Sequence, residues 1–102
     1  LNIKVFEFNA YYELGYYDEL KALADSANHM LRNDKFFSKK EKANYKLYVT
    51  AISKLMDYKC GVGNRQKDPG FLPNLIGFIN ENQMRNKQWL LQKIEELKKI
   101  KN

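Results

Sequence analysis

Cysteine occurs once in this chain, at Cys60, and histidine once, at His29. A single cysteine excludes an internal disulfide. One cysteine with one histidine also excludes the usual four-ligand zinc site within one chain. No metal and no cofactor is expected. No apolar run approaches the roughly 18 residues that a bilayer span requires, so no membrane partner is expected. Residues 1–15 lack a basic start, and Glu7 and Glu13 interrupt their apolar stretch, so they do not read as a signal peptide. The lone thiol and the absent signal point to a reducing, cytoplasmic setting. Arginine is also scarce, with three against fifteen lysines. Arginine supplies most forked contacts to bases and phosphates, so sequence-specific reading of DNA is disfavoured.

What is there is globular. The chain has 102 residues, of which 44% are hydrophobic and 29% charged, the composition of one folded domain over residues 1–102. It opens on Leu1 rather than Met, and the expectation is a piece of a longer protein.

The net charge of +6 is uneven. Residues 1–31 hold two cations and five acids, a net of −3, whereas residues 32–102 hold sixteen cations and seven acids, a net of +9. The densest basic stretch is Lys35, Lys39, Lys40, Lys42 and Lys46 against Glu41. Such a half either attracts an anionic partner or is a solvated, lysine-rich helix surface.

The apolar spacing is helical. Residues 2–14 carry Ile3, Val5, Phe6, Phe8, Ala10, Tyr11, Tyr12 and Leu14, apolar on more than one face, and Gly15 ends the segment. Asp18 is placed to cap a second helix or to serve as an acid in its first turn. Leu20, Leu23, Ala24, Ala27, Met30 and Leu31 then follow at spacings of three and four until Arg32-Asn33-Asp34 breaks the pattern. Ser38-Lys39-Lys40-Glu41 reads as a capping box at the head of a long helix over residues 38–59. Residues 60–71, rich in Gly and Pro, read as a long and mobile connection. Residues 72–101 read as two further helices. Pro73 lies in the first turn of one, and Trp89, Leu90, Ile94, Leu97 and Ile100 stripe the other. The expected fold is all-α: about five helices in antiparallel hairpins, with no sheet.

The segment Asn9-Ala10-Tyr11-Tyr12-Glu13-Leu14-Gly15-Tyr16-Tyr17-Asp18-Glu19-Leu20 resembles the hinge of a tetratricopeptide repeat. The match lies at Tyr11, Gly15 and Ala27. The departures lie at Leu20, where alanine is usual, at Glu7 and Phe8, where a Leu-Gly-like pair is usual, and at Asn33-Asp34, where a proline is usual. The resemblance covers residues 1–34, and residues 38–59 look like the first helix of a more divergent hairpin. The whole looks similar to the C-terminal part of larger, uncharacterised bacterial repeat proteins. This implies an α-solenoid fragment that binds proteins or peptides without catalysis. Stacked repeats bury what one hairpin cannot, so the doubly apolar first helix is expected where a preceding repeat docks, or where a second copy pairs as a homodimer.

The candidate partner-binding residues are Tyr16, Tyr12 and Phe6 on and after the first helix, with Lys39, Lys42 and Lys46 on the third. A nucleic-acid-binding domain using residues 32–102 is the alternative. The tyrosines read either as a groove for peptides or bases or as core fillers with hydroxyls at the rim. Trp89 reads as a partner anchor or as a lid on the core. His29 and Cys60 have no second ligand or base near them in sequence, so no enzyme is expected. Gly61 to Lys67 lacks the strand, spacing and Ser/Thr of a phosphate-binding loop.

Overall fold

The structure, a computed structural model, describes residues 4–100, and of Ile100 only the backbone. Leu1, Ile3 and Lys101 lie outside the described residues. Within them the chain is all-helical: α1 Val5–Leu14, α2 Tyr17–Asn33, α3 Lys39–Lys59, a short 3-10 turn at Arg65–Lys67, α4 Phe71–Glu81 and α5 Lys87–Ile100. No strand forms among the described residues.

The α1–α2 turn follows from Gly15. Its φ of 75° is open to glycine at little cost. The Gly15 N–H donates to the Tyr12 carbonyl and the Tyr16 N–H to the Tyr11 carbonyl, a Schellman closure of α1. The side chains at the two ends of that outer bond meet as well, with the Tyr11 and Tyr16 rings 6.2 Å apart. Asp18 does not cap α2. It lies in the first turn with Glu19, and Tyr16 stands at the cap position. The capping box at α3 is formed: Ser38 Oγ accepts from the Glu41 N–H, and Glu41 Oε1 accepts from the Ser38 N–H, both at 3.1 Å.

α3 is the axis of the molecule and packs against every other helix. Its residues Leu55, Met56, Asp57 and Tyr58 are buried in succession, which is possible only where neighbours surround the helix. Tyr48, Ile52, Leu55 and Met56 meet Phe8, Leu20, Ile79, Leu90 and Ile94 in one continuous core. Burying each such side chain stabilises by about 2 kcal/mol. Ala24 and Ala27 are the buried small residues on α2, whose heaviest packing is with α3.

The connection after α3 is not an open loop. The Val62 N–H donates to the Asp57 carbonyl at 2.9 Å, and Gln66 Nε2 donates to the Tyr58 carbonyl at 2.6 Å. Phe71, already in α4, stacks on Tyr58 at 5.6 Å. A local turn and a ring stack thus pin a stretch whose Gly and Pro content signals only chain reversal.

Candidate functional site

The first helix carries the first candidate surface. One side of α1 is covered by α5: the Tyr12 and Trp89 rings meet edge to face at 5.5 Å, Asn86 Nδ2 donates to Asn9 Oδ1 at 3.0 Å, and Lys93 Nζ pairs with Glu13 at 2.6 Å. The hydrogen bond to Glu13, with Glu96 on its other side, lifts the Lys93 ammonium above its ordinary value against a smaller effect of burial. α5 therefore occupies part of the face on which a preceding repeat was expected to dock. What stays open is a stripe at four-residue spacing, Phe6, Ala10 and Leu14, with Phe6 84% and Leu14 62% exposed. Tyr16 extends it past the turn, at 46% exposure.

Tyr12 does not belong to that stripe. It is 3% exposed, and the expectation that it contacts a partner is corrected. Its ring lies between Trp89 and the Lys59 ammonium, which stands 4.2 Å from the ring centre and bonds the Tyr12 carbonyl. Burial first, then the nearby Glu13 and Glu96 charges, pushes its phenol far above the ordinary value. Position 12 is three residues from Asn9 and four from Phe8, so it falls on the inward face. Trp89 is half-buried against it and closes the core.

The second surface lies where α2 ends and α3 begins. A cleft of about 470 Å³ is lined by Arg32, Lys39, Lys42 and Lys46 together with Asn28, Leu31 and Ala43. Lys39, Lys42 and Lys46 recur at three and four residues, so one face of α3 presents all three. The Lys42 ammonium is tied to the Asp34 carbonyl, whereas Lys39, Lys46 and Arg32 carry no ion pair among the described residues. Most other cations are matched. Lys4, Lys21, Arg65, Lys93 and Lys98 meet carboxylates, and Lys54 and Arg85 lie over aromatic rings.

Two features escape a sequence reading. Phe36, in the α2–α3 turn, is 93% exposed. Asp34 Oδ2 accepts the N–H groups of Phe36 and Phe37 at 3.1 and 2.6 Å, so the backbone that projects Phe36 is fixed. Its neighbour Phe37 turns inward and stacks on Tyr45 at 5.6 Å. Asp57 is the buried charged residue of the core, 2.8 Å from Lys21 Nζ and 3.6 Å from Arg65 Nη2. Partial burial, and then a hydrogen bond to this carboxylate, raises the Tyr17 phenol. The signal available for the first was an Asp two residues before a Phe-Phe pair. For the second it was an acid inside an apolar stripe.

His29 is exposed and is bonded by Asn33 Nδ2 at 3.1 Å, and Cys60 is exposed at the end of α3. Among the described residues no three of His, Cys, Asp and Glu gather as metal ligands would, and no helix is long and apolar enough to cross a membrane. Compared with protein-family models, with curated proteins and with solved structures, the chain matches none of them.

Proposed function

We propose that this chain is a non-catalytic protein-binding module of tetratricopeptide-like helical hairpins, which docks another helical surface through the outer stripe of α1. The observation that carries the reading is the exposure of Phe6 and Leu14, two turns apart on one helix face, with exposed Tyr16 just past the turn. An isolated exposed leucine means little, but a row of large apolar side chains costs solvation unless something covers it. The Gly15 hinge, the inward Tyr11 and the buried Ala27 support a repeat-like hairpin. In a longer array the stripe receives the preceding hairpin. In the chain alone it receives a second copy.

Light scattering at two concentrations tests this. The expected result is a mass that rises from 12.1 kDa towards twice that value with concentration. The double variant Phe6→Glu, Leu14→Glu stays monomeric with unchanged helicity, because neither side chain is part of the core. A wild-type chain that remains monomeric at about 1 mM, where an interaction of ~4 kcal/mol would show, overturns the reading.

A further inference from the structure

We propose that the outer stripe of α1 takes a second copy of this chain, with the two α1 helices antiparallel and crossing at Ala10. This rests on the reading of that stripe as a docking surface, and it adds the direction of the partner and the residue at the contact.

The pattern on α1 is symmetric about one residue. Phe8 and Tyr12 are buried, and Ala10, midway between them in the chain, is half-exposed. At about 100° per residue, Ala10 stands on the side of the helix opposite that buried pair. Phe6 lies one turn before it and Leu14 one turn after it, each displaced by about 40° towards an opposite edge of the face. The face thus reads large, small, large, with the small residue outermost. An alanine at that point lets a second helix approach closely, and a ridge of four-residue spacing is the kind that enters the groove of a facing helix.

Such a face meets its own copy best in one direction. In the antiparallel pair, Phe6 of each chain lies beside Leu14 of the other. Both ends of the contact then hold one ring and one leucine, and the gap between the helices is even. The two side chains lean to opposite edges, so they pass each other. A parallel pair would set ring on ring at one end and leucine on leucine at the other, which splays the helices and forfeits close packing. Opposed helix dipoles favour the antiparallel direction as well.

Charge permits the contact. A surface that meets its own copy brings each of its charges twice, and unmatched acids at its edges would repel. Glu7 and Glu13 flank the stripe, and each is answered within its own chain, Glu7 by Lys4 at 3.6 Å and Glu13 by Lys93 of α5 at 2.6 Å. The lysine-rich stretch at residues 35–46 lies off this helix. The patch is small. Phe6, Ala10 and Leu14 together offer less than the ~800 Å² per partner of a standard interface, so the pair is weak. A dissociation constant of about 10⁻⁴ M is expected.

Two measurements test the geometry. The first is light scattering of Ala10→Leu. A face that associates only because it is apolar would pair more tightly with the added bulk. A close crossing at Ala10 is overfilled by it, and self-association is expected to weaken about 10-fold with unchanged circular dichroism. Unchanged or tighter association overturns the crossing point. The second is crosslinking in the Cys60→Ser background. Phe6→Cys chains and Leu14→Cys chains, one of them carrying a mass tag, are mixed in equal amounts at ~1 mM and treated with a short bismaleimide. The mixed dimer is expected in excess over either like pair. Like pairs in excess overturn the antiparallel direction. If the wild-type chain self-associates while these results go against the geometry, the docking surface stands and only this arrangement falls. A wild-type chain that stays monomeric at that concentration removes both.

Discussion

Tyr48 donates its hydroxyl proton to the side-chain oxygen of Asn9 across 3.2 Å, at the point where α1, α3 and the start of α5 converge. Asn86 Nδ2 donates to the same oxygen at 3.0 Å. One acceptor thus satisfies two donors from elements 39 and 77 residues away along the chain. Asn86 reaches it from a left-handed backbone, φ 60°, that asparagine tolerates better than most residues.

The pair has unequal members. Asn9→Leu should cost about 2 kcal/mol, because the fully buried Tyr48 hydroxyl keeps only the long bond to the Val5 carbonyl at 3.5 Å and Asn86 loses its acceptor. Tyr48→Phe should cost about 1 kcal/mol, since Asn9 keeps its bond from Asn86. Urea unfolding of the two variants checks the order, and a larger cost for Tyr48→Phe would show that Asn9 is not the hub.

The Lys21–Asp57 ion pair should behave as a buried one. Asp57 is 8% exposed, and Arg65 stands farther from it than Lys21 does. Lys21→Met should cost about 2 kcal/mol by leaving the carboxylate under-compensated, and Lys21→Met with Asp57→Leu should recover most of that. Thermal unfolding of the single and double variants is the check. Equal losses in both would mean that the pair holds the fold by more than charge.

Alkaline stability follows from two tyrosines. Burial pushes the phenols of Tyr12 and Tyr48 far above their ordinary value. The unfolded chain loses these protons near pH 10, while the folded chain keeps them. The stabilisation is complete below about pH 10, and it falls as pH rises above that value because the unfolded state is then favoured by ionisation. Phenolate absorbance should show the Tyr12 and Tyr48 phenols ionising only with unfolding. Trp89, the single tryptophan, rests on Tyr12 and should report that unfolding by fluorescence.

Much of the local structure was legible in the residues. Gly15 marks a turn because no side chain blocks a positive φ. Ser38 and Glu41 mark a helix start because their side chains reach free amides three residues apart. The stripes on α2, α4 and α5 name their buried faces, since apolar spacing of three and four defines one side of a helix. The lysines of α3 were also legible as one face, and the structure sets Arg32 opposite them.

Tertiary structure decided which helix is central and which aromatic is free. The sequence pattern picks out α1 as apolar on several sides, yet α3 is the helix that all the others surround. Tyr12 and Phe6 are both aromatics on α1, but only the return of α5 makes the one core and leaves the other surface. Phe36 and Phe37 are adjacent and chemically identical, and the Asp34 turn projects one and packs the other. The sequence by itself determined the helices, their caps and their charge, because those depend on neighbours within about four residues. Burial depends on which distant segments arrive, and so the exposed apolar and basic surfaces are set only once the chain has folded.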